Sequence, residues 1–496
     1  MSKSDVSKYY GENGVHRVPL WRIGGFALNN TATNFYLFMM NFVAYYLTGF
    51  VGVLVVTASS FSMFMRIWDG VTDPFIGYVV DKTNGKFGKN RPFMVIGNVI
   101  LCVTSFILFH VTHLLPESTP IRFGFFIVVA ALYYIGYTFQ CVVTKSAQTC
   151  LTNDPKQRPL FSVFDAVYNT ILFTVMAIVA ANLGTKYGSM SDTGVFHELW
   201  LLTAICSAIF TVIAVISIAP KDRTEFFGTG KVVRVGLKDY WDTLKNNRAI
   251  QMLIVSASTD KLATSAKTST VTLVLFAVLA GNYSLQGSLT GIISFISLPI
   301  MIVLISSLAT KLGQRKAMLI GSIGGIFVNL ALILLWLIGD PTTMSSASGG
   351  IAWGAFTIIY VILNIMLSSF QGISGNIVIP MTADCADYEV YRSGKYVPGL
   401  MGTLFSLVDK LVSSFAPMIA GLMYAAIGFK TALPDIDTPR SDELLYVTLF
   451  LSYGIVIIGL LCNLVALKFY PLTKEKMEEI QDEIAAIKAK YTAENS

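Results

Sequence analysis

Charge is scarce in this chain. Of its 496 residues only 13% are Asp, Glu, Lys or Arg, against roughly 25% in an ordinary soluble domain. Hydrophobic residues make up 54% and mean hydropathy is +0.63. Such a composition excludes a water-soluble enzyme and points to a polytopic membrane protein. The six cysteines, Cys102, Cys141, Cys150, Cys206, Cys385 and Cys462, are dispersed over apolar segments without a CxxC pair, so neither disulfides nor a thiolate metal site is expected. The four histidines show no ligand spacing, and no nucleotide motif argues for ATP. The stretch "MSKSDVSKYYGENGVHRVPLWR" lacks the basic, apolar, small-residue layout of a cleaved signal, and is expected to stay in the cytoplasm.

What is abundant is apolar sequence in runs long enough for a bilayer core, which takes about 20 helical residues. Breaks at charged and Pro/Gly-rich stretches predict an all-α protein of twelve transmembrane helices in two six-helix halves. The expected organisation is an N-terminal segment 1–20, a first half 21–219, a cytoplasmic linker 220–248, a second half 249–471 and a C-terminal tail 472–496. Helix ten is placed at 350–378, and the tail is read as a solvated or interfacial helix. Lys and Arg favour cytoplasmic loops. They gather at Lys82, Lys86, Lys89 and Arg91, at Lys156 and Arg158, in the linker, at Lys311, Arg315 and Lys316, and at Arg392 and Lys395. Both termini therefore face the cytoplasm of a plasma (inner) membrane protein. The net charge of +6 reflects this asymmetry, not a nucleic-acid surface.

An internal repeat supports two halves. "KFGKNRPFMVIG" (86–97) leads into helix three and "KLGQRKAMLIG" (311–321) into helix nine, the corresponding place. Transporters built from two six-helix halves leave such weak self-similarity.

The segment "RIWDGVTDPFIGYVVD" carries Asp69 and Asp73 where the sequence is otherwise apolar. An ionised carboxylate at mid-membrane costs about 3 kcal/mol by insertion scales, so it needs a partner or a wet cavity. Four residues apart, the two acids share one helix face with Thr72 nearby. This oxygen-rich, anionic patch suits a monovalent cation or protons. The bland alternative is a salt bridge from Arg66 to Asp69.

That segment, the following "GKNRPF", the block "MTADCADYEVYRSGKYVPGLMGTLFSLVDK" and the tail "FYPLTKEKMEEI" resemble the glycoside-pentoside-hexuronide:cation symporters of the major facilitator superfamily, to which the melibiose and glucuronide permeases belong. The resemblance spans the chain. It implies a secondary symporter importing a glycoside, pentoside or hexuronide by alternating access, with Asp69, Asp73, Thr72 and Thr138 as cation ligands. Asp69 and Asp73 become metal ligands if the coupling ion is sodium. Thr72 stands where the melibiose permease has Asn, which leaves sodium and proton both open. Lys410 matches a family lysine near the sugar and cation sites.

Sugar recognition departs from the melibiose permease. Cys141 and Lys145 stand where that protein has an Asp and a Trp in helix four, and Ala166, beside Asp165, where it has an Arg in helix five. Helix one offers Asn29, Asn30, Thr33 and Asn34 but no acid. The substrate-binding candidates are thus Lys145, Cys141, Asn30, Asn34, Asp165 and Lys410. For Lys145 two readings stay open: it pairs with a substrate carboxylate, or it neutralises Asp165. Asp260 and Lys261 read as interfacial, Lys267 is left between cavity and interface, and Tyr133, Tyr134 and Tyr137 read as packing. Asp81, Lys82, Arg91, Asp384, Asp387 and Arg392, with Glu389, are expected in a cytoplasmic gate of salt bridges between the halves. The expected partners are a small sugar or glycoside, a monovalent cation (Na+ or H+) and the lipid bilayer, with no other cofactor, no nucleic acid and no obligate protein partner. The rival reading is a lipid or anionic-metabolite carrier on the same fold. A membrane-embedded enzyme lacks a reacting centre.

Overall fold

The computed structural model describes residues 17–223, 245–393, 408 and 410–483, apart from residues 84, 86, 153–156, 268, 348 and 481. Among these residues the structure is helical, with two isolated β-bridges. The main helices are α1 (Leu20–Met40), α2 (Val55–Lys82), α3 (Arg91–Leu114), α4 (Thr119–Ser146), α5 (Arg158–Tyr187) and α6 (Thr193–Ile218). They continue with α7 (Arg248–Ser265), α8 (Ser284–Leu312), α9 (Gln314–Ile338), α10 (Ala355–Ser393), α11 (Lys410–Ala426) and α12 (Asp442–Phe469). Among the described residues eight helices are long and apolar enough to span a membrane, or nine if the bent pair starting at Arg248 is one span. The helices that carry Asn30, Asn34, Asp69 and Asp73 are not among them, because those polar side chains lower their hydropathy. The set is consistent with the expected twelve.

Two compact units emerge: Met1–Lys231 with Gly428–Asp437, and Val232–Ile427 with Thr438–Ser496. Within the first, Asp435 accepts a hydrogen bond from Ser189 Oγ at 2.6 Å.

α6 is sorted as lipid demands. On α6, Leu201, Ile205, Ile209, Val212 and Ile216 are exposed, whereas Thr203, Ser207, Thr211, Ala214 and Ser217 are buried. Small and weakly polar residues face protein because association in lipid runs on close packing and interhelical hydrogen bonds. The repeat shows the same logic in both units. Gly88 (φ 92°) and Gly313 (φ 83°) both adopt the left-handed backbone just before α3 and α9, which a side chain would strain. The later glycine of each motif lies where two helices touch. A Cβ on Gly97 would come within 3.1 Å of the Gly136 carbonyl of α4, and one on Gly321 within 3.1 Å of the Phe370 carbonyl of α10. The next residue then bonds across to the sixth helix of its own unit. Asn98 donates to Ser207 Oγ at 2.6 Å, and in the second unit Ser322 Oγ accepts from Asn463 at 3.0 Å, with Asn and Ser exchanged.

Three placements differ from expectation. α10 runs to Ser393 rather than ending near 378, because a buried stripe at Ile373, Ile377, Met381 and Cys385 continues with helical spacing beyond the apolar run. The stretch expected as a linker from 220 begins inside the first unit, with Lys221 and Asp222 fully buried. The tail starts by packing: Leu472 and Ile480 join the core formed with α7, α9 and α10. Beside them a cavity of about 380 Å³ is lined by Arg315, Asp384, Tyr470, Lys474 and Glu478 among others.

Candidate functional site

The carboxylate patch is built on α2. Asp69 is 1% exposed, and Thr138 of α4 donates its hydroxyl to Asp69 Oδ1 at 2.7 Å. Thr72, also buried, donates to the Asp69 backbone carbonyl at 3.1 Å. Asp73 is half-buried. Arg66 Nη1 lies 3.9 Å from Asp69 Oδ2, beyond hydrogen-bond reach, and its guanidinium is 5.9 Å from the centre of the Tyr137 ring. The structure thus brings Asp69, Thr72 and Thr138 together. It also shows the Arg66 ion pair that was the bland alternative. The two are compatible: a cation at 3.9 Å offsets part of the desolvation of Asp69 without occupying its hydrogen-bonding positions.

A second polar group joins α1 to α4 and α5. Asn30 Nδ2 donates to Asp165 Oδ1 at 2.7 Å, Asn34 Nδ2 to Asn169 Oδ1 at 2.7 Å, and Asn29 Nδ2 to Thr144 Oγ1 at 2.8 Å. Asn30, Asn34 and Asp165 were expected here. Asn169 and Thr144 were missed, although Asn169, one turn after Asp165, was available as a signal. Cys141 is half-buried on α4. The side chain of Lys145 lies outside the described residues, so its two readings stay as they were. Lys410, half-buried at the start of α11, belongs to the second unit. Replacing Asn34 by Leu removes the bond to Asn169. Interhelical bonds in membranes are worth about 0.6 kcal/mol on average and up to about 1.7. A small fall in melting temperature is expected, together with a several-fold rise in KM for substrate. An unchanged KM would remove Asn34 from the substrate site.

The gate candidates divide. The side chains of Asp81 and Lys82 lie outside the described residues. Arg91 Nε pairs with Asp222 Oδ2 at 3.4 Å, within its own unit. Arg392 pairs with Glu389 at 2.7 Å, and buried Glu389 accepts from Asn247 Nδ2 at 2.8 Å. In this structure these pairs tie helix ends to their own unit.

Asp384 lies past the apolar part of α10, which ends at Ser374. Burial, and then the charge of Asp387, push its carboxyl up to about 7. Because the folded value exceeds the unfolded one near 3.9, the folded state binds more protons between roughly pH 4 and pH 7, and stability falls as pH rises through that window. Asp384→Asn is expected to flatten the fall in melting temperature between those pH values. An identical slope in the variant would show that another group is responsible.

Elsewhere, Asp260 is buried, while Lys261 is exposed. Tyr133 and Tyr134 are buried, as packing residues should be. His110 stacks on His197 with ring centres 4.1 Å apart, a contact that sequence spacing does not announce. Among the described residues no group of three or more His, Cys, Asp or Glu side chains is arranged to hold a metal ion. A cation on α2 would rest on two carboxylates and hydroxyls, an all-oxygen donor set of the kind hard cations take.

A family model described as "MFS/sugar transport protein" matches residues 25–474. The glucuronide carrier protein homolog of Escherichia coli (strain K12) is 25% identical over 486 residues, covering 94% of this chain and 95% of that protein. The isoprimeverose transporter of Lactiplantibacillus pentosus is 23% identical over 492 residues, covering 97% and 94%. Among solved structures, the nucleoside transporter NupG has a TM-score of 0.60 at 13% identity, covering 91% of this chain and 100% of its own, a likeness of fold. All of these are membrane transporters, and this chain is a transporter rather than an enzyme. The match over nearly its whole length places it in the glycoside-pentoside-hexuronide:cation symporter family of the major facilitator superfamily.

Proposed function

We propose that this protein imports a glycoside, pentoside or hexuronide across the plasma membrane together with a monovalent cation, with both termini in the cytoplasm. The observation that carries the reading is the Thr138 hydroxyl of α4 bonded at 2.7 Å to the buried Asp69 of α2. It joins residues from two helices that the family resemblance implies as cation ligands. The cation, sodium or a proton, enters beside Asp69 and Asp73 and lowers the repulsion between the carboxylates. Each ligand then needs only to raise the affinity of the other for flux to be coupled. The polar group of Asn30, Asn34 and Asp165 offers both donors and acceptors for sugar hydroxyls. Alternating access, with rearranged pairing at Asp81, Lys82, Arg91, Asp384, Asp387 and Arg392, completes the cycle.

The test is uptake of labelled glycosides and uronides into proteoliposomes under an imposed sodium or proton gradient. Accumulation above equilibrium with one gradient supports symport and names the ion. Equilibration at the same rate with and without either gradient would sink it.

A further inference from the structure

α7 stops at Ser265 and the chain resumes as helix at Ser269–Leu273, running on through Val274–Leu279. The two arms are bent by 48°. Lys267 lies in the break. At 1.5 Å per residue it sits about 28 Å along from Arg248 and about 20 Å before the turn at Gly281, deep within the span. The arm beyond it is buried and apolar from Leu273 to Ala280, so Lys267 has no short path to an aqueous interface.

Its surroundings are unusual for a cation. The ammonium lies 5.3 Å from the centre of the Tyr453 ring, on α12. Tyr453 is fully buried. Nearby in the same unit, Tyr360 meets the rings of Trp336 and Phe276 edge-on, at 6.0 and 6.2 Å. Among the described residues no carboxylate lies within ion-pair distance of Lys267. Contrast Arg66, an intramembrane cation of the first unit, which has Asp69. An aromatic face attracts a cation weakly and leaves its net charge in place. Lys267 is half-buried. Breaks in transporter helices are where substrate and ion sites form.

We propose that Lys267 recognises a carboxylate on the transported sugar, making it a specificity-determining residue for an anionic substrate of the uronide class. This rests on the symport reading and deepens it. The ammonium donates hydrogen bonds to the carboxylate, and the pair is neutral where a lone charge of either sign is disfavoured.

The experiment is thermal stabilisation of the purified full-length protein in detergent by methyl β-D-glucuronide and by methyl β-D-glucoside, which differ only in the carboxylate. Ligand binding to the folded state raises the melting temperature by mass action. The wild type is expected to prefer the glucuronide. That preference should fall at least tenfold in Lys267→Met and in Lys267→Gln, and be largely kept in Lys267→Arg. Equal stabilisation of the wild type by both compounds overturns the proposal even if no variant folds. So does a preference that survives in Lys267→Met but is lost in Lys145→Met. A non-sugar carboxylate, benzoate, that stabilises as well as the glucuronide would show a general anion site and contradict the sugar-acid assignment. Failure of symport itself reads differently: substrate binds, but no ion gradient drives uptake.

Discussion

If Asp69 holds the coupling cation as proposed, Asp69→Asn is expected to abolish gradient-driven accumulation while the protein still folds. The substitution keeps the shape of the side chain and an oxygen that can accept from Thr138 at the 2.7 Å position. What it removes is a charge held at 1% exposure, and a neutral amide is cheaper to bury than a carboxylate. Stability should therefore hold or rise slightly, apart from the loss of a 3.9 Å partner for Arg66. Transport loses the attraction that binds the cation and, with it, the coupling. Accumulation in proteoliposomes is expected to drop to equilibration, a loss of at least about tenfold, equivalent to 1.4 kcal/mol or more of coupling. Sugar exchange without a gradient can persist, because it needs no net cation movement. Thr138→Ala, which removes the hydroxyl bonded to Asp69 and keeps both carboxylates, is expected to weaken cation affinity without abolishing accumulation. Wild-type accumulation in Asp69→Asn would take Asp69 out of the cation site.

Asp222→Ala is expected to be the most destabilising single change. Asp222 is fully buried and accepts from the backbone N–H groups of Lys89 at 3.2 Å, Asn90 at 3.0 Å and Arg91 at 3.0 Å. It also accepts from Asn90 Nδ2 at 2.9 Å and pairs with Arg91. These N–H groups open α3, which has no capping bond from its own Asn90 side chain. A carboxylate from beyond α6 thus caps the positive end of α3. Gly88 allows the approach: a Cβ there would fall 2.6 Å from the Asp222 carboxyl carbon. Removing the acid leaves several donors and the Arg91 charge unsatisfied. The expected cost is about 3 kcal/mol or more, a fall of roughly 6–12 °C in melting temperature for a unit of this size. Asp222→Asn, which still accepts, should lose less. A change under about 2 °C in Asp222→Ala would mean that the cap is dispensable.

These two residues also mark how far the sequence can be read. Asp69 and Asp73 announce themselves, since a charge in an apolar run has a large, one-signed cost that any reader can weigh. The repeat around Gly88 and Gly313 is equally legible, and both glycines take the left-handed backbone. Asp222 is not legible, because it lies at the start of a polar stretch and its partners are more than 130 residues away. The extension of α10 was hidden for a related reason: the acids at 384, 387 and 389 suggest an end, while Met381 and Cys385 continue the buried stripe. Lys267 was ambiguous on sequence because its meaning depends on a helix break and on Tyr453, 186 residues later. Local cost is visible in a sequence, whereas the partner that offsets it usually is not.

The central claim is that one protein binds sugar and cation with coupled affinities. Its most direct test is the affinity of the purified protein for its sugar, measured with and without the coupling cation, and the affinity for the cation, measured with and without the sugar. The account predicts that each ligand tightens the other by the same factor, as linkage requires, and that the factor collapses to one in Asp69→Asn. Sugar affinity that stays constant across all sodium concentrations and pH values in the wild type would contradict it.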